Sequence, residues 1–349
     1  MGAALPAKAV QDAEGEVKNG STVAAFERAF ADYVGAKYAI ALCNGTATLH
    51  TAMVALGIRP GDRVAVPPLT MSATTIAVLH AGAVPVFVDV DERTWLADGE
   101  KFEWEHAASI PVSLYGLHQP YAGRATIDDA AQTLRKHSGA AFTSYSFQAS
   151  KILALGEGGM LATNDEVLAT RAREFSSLGY RMKADQPRID PAVIKSPTYE
   201  RHHSLGWNYR MNDLTAAEGL RQLPMADGLL AQRRECAAFY RAAIAGCDWL
   251  TPQYVPEGWT FDAWAYAFAV ESADLWHPLT AAMVRHGAEM PYGCWRITYQ
   301  EPAFRHLAPD GTCPVAESLQ PRLLQFQTNS LASAERNATA LRHAIEALS

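Results

Sequence analysis

Seven short apolar segments, several of them separated by stretches of helical periodicity, limit the folds open to this chain more than any other feature. They cover residues 39–42, 64–67, 84–90, 110–114, 126–128, 141–147 and 160–163. Between them, Leu49, Met53 and Leu56 share one helix face, and residues 72–81 and 167–178 carry further helical patterns. Val23, Phe26, Phe30 and Val34 form another before the first segment. Such alternation predicts an α/β fold, a mostly parallel seven-stranded sheet between helices. One link breaks the pattern. The 153–159 connection is too short for a crossover helix, so 160–163 should run antiparallel to its predecessor. Helical patterns at 213–223 and 227–245 lead into a smaller C-terminal α+β domain with a strand at 266–270 and helices at 279–286 and 334–348. The expected division is residues 1–224 and 225–349, and 349 residues are ample for two domains.

Within that frame, one segment bears chemistry. Ser146-Phe147-Gln148-Ala149-Ser150-Lys151 ends an apolar run in a hydroxyl and a turn with one lysine, followed by Gly156-Glu157-Gly158-Gly159. Lysine suits Schiff-base work when burial or a nearby cation lowers its pKa, although a lone lysine is most often a solvated surface group. An aldehyde cofactor such as pyridoxal phosphate also needs a carboxylate at its pyridine nitrogen. Thr126-Ile127-Asp128-Asp129-Ala130-Ala131-Gln132 offers two acids at a strand end, then small residues that let a flat ring approach. The plainer reading of the acids is helix capping. The phosphate needs a cup, and Asn44-Gly45-Thr46-Ala47-Thr48 opens a helix with free N–H groups and the positive dipole end. An ordinary N-cap is the plainer reading there. A Walker-type P-loop is missing from the sequence.

The order N-G-T-A-T-L-H, P-P-L-T-M-S-A-T, I-D-D-A-A-Q, S-F-Q-A-S-K, G-E-G-G and G-W-N-Y-R-M resembles the fold-type I pyridoxal phosphate enzymes of the DegT/DnrJ/StrS sugar aminotransferase family. The motifs run from about residue 25 to 225; Cys313-Pro314-Val315-Ala316-Glu317 extends a looser match. The resemblance implies that Lys151 is the Schiff-base lysine and Asp129, the second acid, the partner of the pyridine nitrogen. It implies that Gln132 lies near the ring hydroxyl, that Gly45, Thr46, Ala47 and Ser146 form the phosphate cup, and that Met71 covers the ring. Asn208 matches an asparagine that reaches the cofactor phosphate of a neighbouring subunit, which implies a homodimer. His203, Tyr292 and Arg296 are the candidate substrate contacts.

Three departures bear on substrate. Met71 stands where relatives carry an aromatic ring, and methionine can still cover a ring face. The stretch from Tyr115-Gly116 to Ile127 is shorter than in relatives, with Gln119-Pro120-Tyr121-Ala122-Gly123 in place of an expected helix. The family match starts late, near Gly15-Glu16-Val17. The longest apparent loop, 181–203, carries Arg181, Lys183, Arg188, Lys195, Arg201, His202 and His203; it reads equally as an anion-binding lid or partner wall and as a solvated connector.

Composition agrees with an enzyme of this kind. Apolar residues make up 49%, charged residues 19%, and the net charge of −7 comes without a basic stripe for nucleic acid. Five cysteines without a C-x-x-C indicate neither a disulfide framework nor a zinc site, and Cys43 reads as a packing residue. Neither a signal peptide nor a membrane span is indicated, so the cytoplasm is the expected location. The expected activity is transfer of an amino group, with glutamate or glutamine as donor, to a keto sugar, usually nucleotide-linked. The alternatives are a lyase or carbon–carbon bond-forming enzyme on the same scaffold, and a pyridoxamine-dependent sugar dehydratase, whose lysine is replaced by histidine. A catalytically dead binding homologue fits least.

Overall fold

The fold is that of a computed structural model that describes residues 21–99, 106–118, 123–137, 139–185, 191–308 and 313–348. The N-terminal 20 residues, most of the 119–123 segment and Arg188 of the long loop therefore lie outside the described residues. The main sheet holds β1 (Tyr38–Leu42), β2 (Arg63–Val66), β3 (Val84–Phe87), β4 (Ala108–Ser109), β5 (Gly123–Asp129), β6 (Ala140–Ser146) and β7 (Gly159–Thr163) in the order β1-β7-β6-β5-β4-β2-β3. Only β7 is reversed, pairing antiparallel with both β1 and β6. All other pairs are parallel.

Alternation of side chains along the strands divides the core into two layers. Ala39, Ala41, Tyr145, Met160 and Ala162 pack toward Phe26 and Phe30 of α1 (Ser21–Val34). Their neighbours Ile40, Leu42, Phe142 and Leu161 pack toward Leu49 and Met53 of α2 (Gly45–Leu56). The helices α3 (Ala73–His80) and α4 (Glu166–Ser176) complete the second layer. Edge strand β1 is fixed by a buried ion pair. Glu27 of α1 takes Nη1 and Nη2 of Arg173 at 2.9 and 2.8 Å and also accepts from Ala41 N–H at 2.8 Å.

Helices α5 (Asp213–Gln222) and α6 (Ala226–Ala243) lead to a second, antiparallel sheet. Its strands are β8 (Leu250–Pro252), β9 (Ala265–Val270), β10 (Tyr292–Gly293) and β11 (Leu323–Gln327), ordered β10-β11-β9-β8. Tyr266, Phe268 and Val270 of β9 face a core shared with α6, α7 (Trp276–Arg285) and α8 (Leu331–Leu348). The intervening Ala265, Ala267 and Ala269 pack on Trp95, Tyr115 and Leu117 of the larger sheet's connections. Among the described residues no helix is long and apolar enough to cross a membrane.

Two sequence expectations are corrected. The strand in the apolar run at 110–114 ends early: Ile110 N–H still reaches Ala65 O at 2.8 Å, but Pro111 has no N–H to give a ladder, and beyond it the isolated bridge of Val112 to Asp129 follows. Asp128, expected to cap a helix or face solvent, is 2% exposed and paired with the 7% exposed Arg135. Breaking one side of a buried pair costs about 3–5 kcal/mol. Asp128→Asn should therefore lower stability by roughly that amount, read as a shift in the urea unfolding midpoint at unchanged slope. A shift below about 1 kcal/mol would restore the solvent reading.

Candidate active site

Ligands of open parallel sheets collect beyond the carboxyl ends of the strands, and four such ends converge here on one cavity of about 480 Å³. The end of β1 supplies the helix N-terminus. Asn44 caps α2 by accepting from Ala47 N–H at 2.8 Å. The N–H groups of Gly45 and Thr46, first in the helix, have no intrahelical acceptor and stand at the positive dipole end. Opposite them lies Ser146, so close that a Cβ on Gly45 would be 2.9 Å from Ser146 Cβ. Gly159 is constrained in the same way, since its Cβ would meet Asn44 O at 2.6 Å. Sheet and helix start can therefore close into a cup only with glycine at both positions. Ala47 is buried behind this cup, its N–H committed to Asn44.

Asp129 ends β5. It is 5% exposed, accepts Thr74 Oγ1 at 2.9 Å and Ala131 N–H at 3.2 Å, and burial raises its pKa against those two hydrogen bonds and the charge of Lys151. A desolvated carboxylate in this position favours a nearby cationic partner. Gln132 accepts Tyr115 N–H through Oε1 at 2.5 Å, which leaves its NH₂ as a donor. Tyr115 sits at φ 59, an uncommon angle for a non-glycine residue.

Lys151 occupies the turn between β6 and β7, its N–H donating to Gln148 O at 2.8 Å. The ammonium lies 4.7 Å over the Trp264 ring. Burial brings its pKa down to about 8; Asp129 opposes this and Arg233 adds to it. Arg233, buried in α6, donates to Trp264 O at 3.0 Å, Thr328 Oγ1 at 3.2 Å and Lys151 O at 3.3 Å, and Trp264 Nε1 donates to Ser150 O at 2.9 Å. The smaller sheet's flank thus holds the lysine turn from beneath. Trp295 stacks on both Trp264 and Tyr115 at 6.2 and 6.4 Å and closes one side of the cavity.

The structure brings Gly45, Thr46, Met71, Asp129, Gln132, Ser146 and Lys151 to this one cavity. Met71, half-exposed, stands at its wall. Tyr292 lies in a neighbouring cavity of about 280 Å³ that shares Ser150, Trp264 and Trp295 with it. Asn208, His203 and Arg296 do not line the cavity of their own protomer, nor do the described basic residues of the 181–203 loop. Cys43 donates its N–H to Tyr209 O at 2.7 Å, and burial pushes its thiol up, away from nucleophilic use. Two residues carried no role in the sequence reading: Thr74, inside the P-P-L-T-M-S-A-T motif, and Trp264, in an aromatic-rich stretch. A hydroxyl four residues beyond Thr70 was the available signal for the first; nothing local marked the second.

Pyridoxal phosphate fits these residues. The glycine-lined cup is open to an anion, the buried carboxylate is open to a protonated ring nitrogen, and the depressed lysine stands across the cavity. Sheet order and site together define a fold-type I pyridoxal phosphate enzyme. The chain belongs to the DegT/DnrJ/EryC1/StrS aminotransferase family, whose family model matches residues 7–340. A GDP-perosamine synthase of Caulobacter vibrioides is 39% identical over 246 residues, 65% of this chain and 62% of that protein. The putative pyridoxal phosphate-dependent aminotransferase EpsN of Bacillus subtilis is 32% identical over 265 residues, 68% of this chain and 64% of that protein. The matches thus span a little under two-thirds of the length of these relatives. Among solved structures, an aminotransferase from Psychrobacter cryohalolentis superposes with a TM-score of 0.81 at 27% identity, covering 96% of this chain and 94% of that one.

Proposed function

We propose that the protein transfers an amino group from glutamate or glutamine to a keto sugar, usually nucleotide-linked, using pyridoxal phosphate. The observation that carries this reading is the placement of a buried carboxylate and a pKa-depressed lysine on facing walls of one cavity, beside a helix N-terminus that only glycine could close. Gly45, Thr46 and Ser146 would take the phosphate, Asp129 the ring nitrogen, Gln132 the ring oxygen, and Met71 one ring face. When bound, the cofactor supplies an electron sink for the substrate's α-carbon.

The remaining chemistry belongs to the chain. Lys151 Nζ would hold the cofactor and would serve as the base that takes and returns the substrate's α-proton. Its pKa of about 8 leaves roughly a tenth of the amine neutral at pH 7, against well under a thousandth at the ordinary lysine value. Asp129 would balance a positive charge on the ring nitrogen. Trp264 and Trp295 cover the lysine side and reduce water access. A single half-reaction tests the reading. Holoenzyme mixed with glutamate or glutamine alone should yield one equivalent of the keto acid per site and then stop until a keto sugar is added. Continuous product without an acceptor would indicate lyase chemistry instead.

The homodimer is part of the same proposal. Asn208 is exposed in the protomer, and Leu205 and Trp207 beside it are 96% and 56% exposed, an apolar surface with no cover among the described residues. If Asn208 serves the partner's phosphate, its loss should weaken cofactor binding roughly ten- to a hundredfold, the effect of a charge-assisted hydrogen bond of about 1.5–3 kcal/mol. Mixed with a Lys151→Ala chain, an Asn208→Ala chain should regain activity at limiting cofactor, since one of the two sites would carry neither defect. Lack of recovery despite demonstrated subunit exchange would assign Asn208 to its own chain or to no site.

A further inference from the structure

A second cavity, of about 750 Å³, shares no lining residue with the cofactor cavity and has no part in the proposed reaction. It lies where the connections of the large sheet meet β8, β9 and α6. Its charged lining consists of Arg93, Arg241 and Arg322 against one carboxylate, Glu92. The Arg93 guanidinium carbon lies over the Tyr254 ring, 3.9 Å from its centre. Arg322 is steadied by Ser318 O at 2.9 Å.

One further side chain in the lining is buried with unmet hydrogen-bonding capacity. Gln253 spends its NH₂ on Thr94 O at 2.8 Å and Leu114 O at 3.4 Å, which fixes the amide orientation and leaves Oε1 buried without a donor. Arg241 is the cation that faces the hydroxyl of the 4% exposed Tyr266. A buried acceptor with no donor is costly, and a ligand N–H or O–H would remove that cost. Guanidinium groups recognise phosphate through parallel N–H donors. The cavity volume is in the range of small-ligand sites.

We propose that this cavity is a second ligand site, for a phosphate ester that carries a hydroxyl or amino donor. The arginines take the phosphate and Gln253 Oε1 takes the donor. Both a sugar phosphate and a nucleotide have this chemistry. The site does not depend on the aminotransferase reading, because its residues and those of the cofactor cavity are disjoint.

Calorimetric titration of holoenzyme with inorganic phosphate, glucose 1-phosphate and GDP tests it. At least one ester should bind at one site per chain and at least about tenfold more tightly than inorganic phosphate, a step of roughly 1.4 kcal/mol. The ester that binds tighter names the source. Arg93→Gln combined with Arg241→Gln should weaken that ester about tenfold or more, while Lys151→Ala leaves it unchanged. Both arginines are exposed, so the double variant should keep the parent unfolding midpoint. Absence of ester binding at millimolar concentration, equal affinity for inorganic phosphate, or affinity untouched by the arginine substitutions would overturn the proposal.

Discussion

Lys151→Ala should abolish turnover and the visible absorbance of bound cofactor while leaving the protein folded. In the proposed reaction the side chain would carry both the covalent attachment and the proton, and positioned acid–base groups alone contribute typically ~10²–10⁴-fold. The turn itself does not need the amine. Arg233 holds the backbone carbonyl of Lys151, and Lys151 N–H donates to Gln148 O, so both contacts survive the substitution. Removing Nζ also removes a group that burial disfavours in its charged form. A pH signature accompanies this. Attachment of pyridoxal phosphate to apoenzyme requires the neutral amine, so its rate should climb with pH and level off near 8 rather than near the ordinary lysine value. A variant that retains both the absorbance and more than a few per cent of the rate would remove Lys151 from the mechanism.

Asp129→Asn should keep the cofactor and lose most of the rate. An amide preserves the shape: its oxygen can still accept from Ala131 N–H and its NH₂ can donate to Thr74 Oγ1 with that hydroxyl's role reversed, but it supplies no charge opposite the ring nitrogen. Removing one member of a buried charge pair costs about 3–5 kcal/mol. Felt in the transition state, that is roughly two to four orders of magnitude in rate. Thr74→Val should produce a milder loss in the same direction, since its hydroxyl orients the carboxylate and opposes the rise in its pKa. Single-turnover rates of the glutamate half-reaction read both effects. An Asp129→Asn rate within tenfold of the parent would show that another group balances the ring.

The two acids show how far a sequence can be read here. Adjacent strand residues point to opposite faces. Asp129 faces the cavity and Asp128 the buried Arg135, so one of the pair had to be structural. Only the family resemblance selected which. The seven strands and the reversal of β7 were legible because they follow from local periodicity and from one connection's length. The early end of β4 was not, although Pro111 was visible. Whether a chain leaves a sheet depends on what its neighbours offer, here the bridge of Val112 to Asp129 and the turn at Tyr115.

Site residues divided along the same line. Lys151, Ser146 and Gly45 sit in local motifs where a turn or a helix start announces a use. Thr74 meets Asp129 from 55 positions away, and Trp264 meets Ser150 from 114. The first exists only once α3 has packed beside β5, the second only after the second sheet has packed its alanine face on the large domain. Arg233 was read as part of an ordinary helix, because nothing in its neighbourhood shows that it will be buried beneath the lysine.

Borohydride reduction of the holoenzyme followed by peptide mapping tests the central assignment most directly. It freezes the attachment where it exists and needs no knowledge of the donor or the sugar. The account predicts a single pyridoxyl group, on the peptide containing Ser146-Phe147-Gln148-Ala149-Ser150-Lys151 and on the side chain of Lys151. A pyridoxyl group on any other lysine, or none on a protein that retains stoichiometric cofactor, would contradict it.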